Sequence, residues 1–286
     1  MRLWLFSLSM LLLLPAPTLG APPNSSAREA RAPRKNHRER RHRVTVTRDE
    51  AAGGTHWRIA ARGRVLHVWR PPGYRRERAG IVLFVHGYHV TADRAWRRHH
   101  LLEQFRASKQ NALFIVVDGP SAPGEPVKFP ALSKVLHRVA RHARLRLPHG
   151  HIVAVSHSAG YRTVVEWLDY RYLSHVVLLD SLYASDSSFH DWMTTARNHG
   201  WHRLTVVARD TRPQVKQLKR LFGKPAGRSR RLVELERIPE EYSELSRGQR
   251  GASLVFLDSQ YGHSALVTNK KVLPVLLRRT RLRLLR

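Results

Sequence analysis

Six apolar runs of four to six residues, separated by segments long enough for a helix, constrain this chain more than any other feature. They are Ile81–Val85, Ala112–Val117, Ile152–Val155, His175–Leu179, Leu204–Ala208 and Leu254–Leu257. A strand that is apolar at nearly every position, instead of every second one, is covered on both faces. Such strands alternating with helices build a parallel sheet, because a parallel neighbour is reached only by a crossover connection. The spacing predicts helices from about Asp93, read as an N-cap, to Ser108, then over Ala131–Leu147, Tyr161–Tyr170 and Lys271–Arg286. Upstream, Val44–Trp69 alternates, with turn signals at Gly53-Gly54 and Arg62-Gly63 and a Pro71-Pro72-Gly73 stop. That pattern predicts two or three antiparallel strands leading into the main sheet. The expected class is α/β: a mostly parallel central sheet with helices on both faces and antiparallel N-terminal strands.

The first 43 residues have a different character. Arg2 followed by the apolar Leu3–Leu14 and the small-residue stretch Pro15–Ala21 reads as a signal peptide over residues 1–20, cleaved after Gly20. About 12 apolar residues are too few to span a bilayer, which takes roughly 20. Residues 21–43 are polar, Pro-containing and basic, and read as a disordered linker. The folded domain is expected over 44–286. The chain is therefore expected to be exported, to the periplasm or outside the cell. It contains no cysteine, which excludes disulfides, a lipid-modified cysteine and thiol catalysis.

The charge is extreme, with 51 Lys plus Arg against 21 Asp plus Glu and a net of +30. Residues 1–43 hold nine of those cations and two glutamates, so most of the excess belongs to the domain. Such a field attracts anionic polymers or membrane surfaces without specificity, and no specific nucleic-acid site is predicted.

Ligands bind open α/β sheets at the carboxyl ends of the strands. The first run leads into His86-Gly87-Tyr88-His89, the second into Asp118-Gly119, and the third into Ser156-His157-Ser158-Ala159-Gly160. The fourth leads into Asp180-Ser181, the fifth into Arg209-Asp210-Thr211, and the sixth into Asp258 and, five residues on, His263. A serine in a tight strand-to-helix turn is held above the sheet edge, with small residues at its flanks because the two backbones nearly touch. A hydroxyl is a weak nucleophile until a base takes its proton, so Ser158 requires a histidine brought in by the fold.

The order Ser…Asp…His, with His-Gly after the first buried strand, resembles the α/β-hydrolase superfamily over roughly Val44–Arg286. The resemblance implies Ser158 as nucleophile, His263 as base, and the backbone N–H groups of Tyr88 and Ala159 as an oxyanion hole. It implies Asp210 as the triad acid, with Asp180 as the alternative. The departure is Ser156, where the family usually has glycine. Asp258 is expected to cap a loop, and Asp118 to serve a turn or line the pocket. No cofactor is implied, and the histidine pairs lack the cysteines or the helical spacing of a metal site. The segments Leu182–Trp201 and Thr211–Arg250 are expected to shape substrate choice, the second as a helix, a basic loop and a further helix. The implied activity is an exported serine hydrolase, esterase- or lipase-like, acting on a small-molecule ester or amide through an acyl-enzyme. The alternatives are an acyltransferase with the same triad, or a non-catalytic scaffold that binds an anionic polymer or membrane surface.

Overall fold

A ten-stranded sheet, among the described residues, runs in the order β1-β2-β3-β5-β4-β6-β7-β8-β10-β9. The computed structural model describes residues 44–195, 201–223 and 232–286. The expected signal peptide and basic linker lie outside the described residues. Strands β1 (Thr45–Ala51), β2 (Gly54–Ala61) and β3 (Arg64–Arg70) form an antiparallel meander, and β3 pairs antiparallel with β5. From there the sheet is parallel through β5 (Ala112–Val117), β4 (Gly80–Val85), β6 (Ile152–His157), β7 (Leu173–Leu179), β8 (Arg203–Ala208), β10 (Leu254–Asp258) and β9 (Leu232–Leu235). Strands β4 to β8 are buried at every position, as their unbroken apolar runs require.

Alternate residues of each strand feed two cores. Ile81, Leu83 and Val85 face one, together with the helices α3 (Leu132–Ala143), α4 (Tyr161–Val165), α5 (Asp186–Thr194) and α6 (Arg212–Phe222). Val82 and Phe84 face the other, with α1 (Ala92–Arg98), α2 (Leu101–Ser108), α8 (Ala265–Thr268) and α9 (Val272–Arg278). A short α7 spans Arg247–Gly251. No helix among the described residues is long and apolar enough to cross a membrane.

Several expected elements differ. The helix expected from Asp93 to Ser108 is two helices, broken where His100 enters the left-handed region at φ 48°. Its cap is Thr91, whose hydroxyl accepts from the Arg94 N–H, and not Asp93. Asp93 instead takes a bidentate ion pair from Arg58 on β2. The closing helix is only Val272–Arg278; beyond it the chain extends, and Leu284 bridges to Gln110 beside β5. The segment after β8 is a helix, then the unexpected edge strand β9, and the second helix is only the short α7 at its end. The expected basic loop overlaps residues 224–231, outside the described residues.

Candidate active site

Strand β6 ends in the turn that holds Ser158. Ser158 sits at φ 53°, a left-handed conformation that costs a non-glycine residue on the order of 1–3 kcal/mol and persists only where the surroundings enforce it. The enforcement is visible. A Cβ on Gly160 would lie 2.6 Å from the Val85 carbonyl oxygen, so only glycine lets the following helix start this close to β4. A Cβ on Gly87 would lie 2.6 Å from the Ser158 Cβ, so the His-Gly loop runs directly against the serine. The Ser158 carbonyl accepts from Ser181 Oγ at 2.6 Å, and Ser181 Oγ lies 2.8 Å from Ser156 Oγ. Because Ser181 has spent its one proton on the carbonyl, Ser156 is the donor in that second contact. Ser156, Ser181 and the Ser158 backbone form a buried chain beneath the turn.

His263 follows β10 and meets the end of β7. Its Nδ1–H donates to Asp180 Oδ2 at 2.6 Å, which leaves the lone pair of the neutral ring on Nε2. Asp180 is fully buried, and its Oδ1 accepts from the backbone N–H groups of Arg209, Asp210 and Thr211 and from the Thr211 hydroxyl, at 2.8–2.9 Å. Burial acts to raise the pKa of Asp180. The hydrogen bonds from His263 and from those backbone groups outweigh it and hold the carboxyl well below the usual range. Asp210, preferred on the sequence, stands 3.8 Å from His263 Nδ1 with a side chain 59% exposed. Its role in this geometry is its backbone N–H, which helps hold Asp180. Of the two candidate acids, Asp180 is the one this geometry sets against His263. A residue two positions into a turn is freed from the strand's alternation, so sequence position alone did not show which carboxylate turns inward.

The loops are tied from behind. His157 is buried and presents Nε2 to the His263 carbonyl at 3.1 Å, with the two rings 4.6 Å apart. Burial, then the charge at His263, lowers the His157 pKa to about 3, so this ring is neutral and Nε2–H is the donor. Asp118 lies behind the His-Gly loop and does not line the cavity. It sits 3.0 Å from His86 Nε2 and accepts the Ala92 N–H, while His86 Nδ1–H donates to the Gly87 carbonyl. Arg162 on α4 bonds the Tyr88 hydroxyl at 3.0 Å and the Glu125 carbonyl at 2.9 Å. Asp258 is exposed and faces Arg212.

Ser158, Ala159, Tyr88 and His263 line one cavity of about 600 Å³, within the range of small-molecule sites. Tyr161 and Tyr183 line it too, and so do His89, His99 and His157. Among the described residues of Leu182–Trp201, only Tyr183 reaches this cavity; Phe189, Trp192 and Met193 are packed into the core. Burial, then the charges of Asp180 and Asp210, raise the Tyr183 pKa, so its phenol stays protonated beside Ser158. Asp180, Asp210 and His263 also bring ligand-type atoms within 4.8 Å of one another. The Asp180 oxygens and His263 Nδ1 are already engaged in hydrogen bonds, so the set is built as an orienting pair more than as an open cation site.

Among solved structures, S-formylglutathione hydrolase from Agrobacterium tumefaciens superposes with a TM-score of 0.53 at 10% identity, covering 84% of this chain and 99% of its own. The feruloyl esterase module from Clostridium thermocellum, solved with sinapinate, gives 0.52 at 11% identity, covering 82% and 87%. This chain has the α/β-hydrolase fold. No protein-family model matches its sequence, and no curated protein does. The serine turn, the strand-end carboxylates and the late histidine of this α/β-hydrolase-fold chain lie at the strand ends where the sequence put them. The hydroxyl chain through Ser181 and the His157 tie were not legible there, although Ser181 directly follows Asp180 and Ser156 was the odd letter in the turn.

Proposed function

We propose that the protein is a serine hydrolase of esterase type, with Ser158 as nucleophile, His263 as general base and Asp180 as the orienting acid. The observation that carries this reading is the buried Asp180 carboxylate fixed at 2.6 Å on Nδ1 of His263, which lines the same cavity as the strained Ser158. Ser158 Oγ attacks the carbonyl carbon of the ester while its proton passes to His263 Nε2. The negative oxygen of the tetrahedral intermediate is held by the N–H groups of Ala159 and Tyr88. The bond to the alcohol oxygen breaks, that oxygen takes the proton from His263, and an acyl-Ser158 remains. Water then repeats the attack with His263 as base, releasing the acid and restoring the serine. Asp180 stays ionised throughout and stabilises the imidazolium. Loss of one oxyanion donor costs about 2.7–4 kcal/mol of transition-state stabilisation in well-characterised hydrolases.

Export belongs to this reading, supported by the Leu3–Leu14 run and the small residues after it. A mature N-terminus at Ala21 on protein recovered outside the cytoplasm checks it. A fluorophosphonate probe should label the purified protein, and Ser158→Ala should abolish the labelling. An unlabelled native protein that binds DNA or an anionic polymer in a salt-sensitive way would show the non-catalytic scaffold instead.

A further inference from the structure

The cavity wall has two groups of rings that meet at His263. Tyr161 and Tyr183 stand 6.4 Å apart, and Tyr183 stands 6.4 Å from His263. On the other side His157 stands 4.6 Å from His263, and His99 lies 6.1 Å beyond His157. The second group ends at His99, at the C-terminal end of α1, a residue only 8% exposed that lines the cavity. Its Nδ1 is sealed from solvent with no hydrogen-bond partner. A neighbouring glutamine, Gln104, bonds the His99 carbonyl and the Val267 carbonyl, which fixes the backbone and leaves the ring to the cavity. The described residues show no partner for Nε2 either. With Nδ1 sealed, Nε2 is the ring nitrogen that a ligand in the cavity can reach.

Burial, then the charges at His86 and His100, lower the His99 pKa to about 4, so the ring is neutral with one N–H. A sealed N–H is costlier to leave unmet than a sealed lone pair. The proton therefore sits on Nε2, and the ring offers the cavity a donor. The lining contains no Lys, Arg, Asp or Glu among the described residues, although the chain carries 51 Lys plus Arg. A charged substituent entering this side would lose its hydration with nothing to replace it.

We propose that His99 is the polar anchor of a substrate subsite, which selects uncharged esters bearing a carbonyl or ether oxygen remote from the scissile bond. The proposal rests on the hydrolase reading of Ser158. Val90 and Val267 line the same cavity and offer apolar walls to the ester's carbons, and His99 rewards an oxygen that reaches it. The oxygen can belong to the acid or to the alcohol half of the ester, and the two are separated by experiment.

Two matched series test this. One is p-nitrophenyl esters of oxo-alkanoic acids, with the ketone moved along the chain, each beside its methylene isostere. The other is acetates of oxo-alkanols beside the plain alkanols. The ratio of kcat/KM within each pair cancels any change in folded fraction. One position in one series should favour the oxo ester by roughly threefold to tenfold, the worth of one neutral hydrogen bond. His99→Leu should bring that ratio to one, and His99→Gln, which keeps an N–H donor, should retain part of it. No preference at any position in either series overturns the proposal, as does a preference that survives His99→Leu. No hydrolysis of any ester, with Ser158 unlabelled by fluorophosphonate, overturns the parent reading and this one with it.

Discussion

Lowering the pH should unfold this protein well before its carboxylates protonate; three buried histidines set a lower bound on the effect, and His175, sealed in the core with its pKa lowered by burial, adds to it. His67, His99 and His157 are each less than a tenth exposed, and burial first of all lowers their pKa values to about 4, about 4 and about 3. An unfolded histidine titrates near 6.5, so between that value and the folded one the unfolded chain binds more protons than the native state. The native state keeps its full stability above the unfolded pKa and loses it as pH falls. At pH 5 each ring costs about 2 kcal/mol, and the three together about 6 kcal/mol, a figure that hardly changes so long as the folded values lie below 5. Single domains have only about 5–15 kcal/mol to lose. The carboxylates of Asp93, Asp118 and Asp180 are held below their ordinary values, so their stabilisation is present above the unfolded pKa near 3.9 and is lost only below this window. Urea unfolding followed by tryptophan fluorescence at constant ionic strength, from about pH 8 to about pH 5, reads the loss directly. His67→Phe, which keeps a ring against Trp96 without a titrating nitrogen, should remove about 2 kcal/mol of the loss at about pH 5. A free energy of unfolding that stays level within about 1 kcal/mol across that range would refute the reasoning.

Asp180→Asn should lower kcat by several orders of magnitude, about 10⁴-fold in comparable triads, whereas Asp210→Asn should change it less than about tenfold; ester hydrolysis by the two variants decides between the acids, and the reverse ranking would restore Asp210. Gly87→Ala places a Cβ 2.6 Å from the Ser158 Cβ and should reduce fluorophosphonate labelling at a folded fraction confirmed by circular dichroism. In a double-mutant cycle, Ser156→Ala and Ser181→Ala should couple by about 0.5–3 kcal/mol, because either change alone leaves a buried hydroxyl or carbonyl short of a partner; strict additivity in chemical denaturation would break the proposed hydroxyl chain.

The parallel sheet was legible because its signal is redundant. Runs such as Ile81–Val85 and Ala112–Val117 are apolar on both faces, and no other common element tolerates that at this length. What escaped depended on single-residue geometry. One residue, His100 at φ 48°, cuts the expected long helix in two, and β9 escaped because its four residues LVEL carry a glutamate on an edge strand. The closing segment is rich in Leu and Arg, which suit a helix, yet Thr280 onward extends because Arg283 O and Lys109 O take hydrogen bonds from Asn111 and Leu285 across to the start of β5. At the site, linear order anticipated that Ser158 and His263 line one cavity, because the fold fixes which strand ends meet. It did not show which acid meets His263, because both carboxylates stand at neighbouring strand ends. The choice was made by donors that no spacing reveals: three backbone N–H groups and the Thr211 hydroxyl aimed at Asp180.

Ser156 follows the same logic. Glycine is usual at this place in the resembled family because strand and helix backbones approach closely there, and a serine passes the same steric demand only if its hydroxyl finds a partner. Here the partner is Ser181, the residue directly after Asp180, which in turn holds the Ser158 carbonyl. One end of the turn under the nucleophile is thus fastened to the same loop that carries the orienting acid. The other loop of the site is fastened by His157, which reaches from inside the turn to the His263 backbone. A glycine at position 156 would satisfy the close approach but supply no donor to Ser181. The unusual serine is therefore consistent with a turn built to position chemistry, since its hydroxyl adds a link between nucleophile and acid that a drifting site would have no reason to keep satisfied.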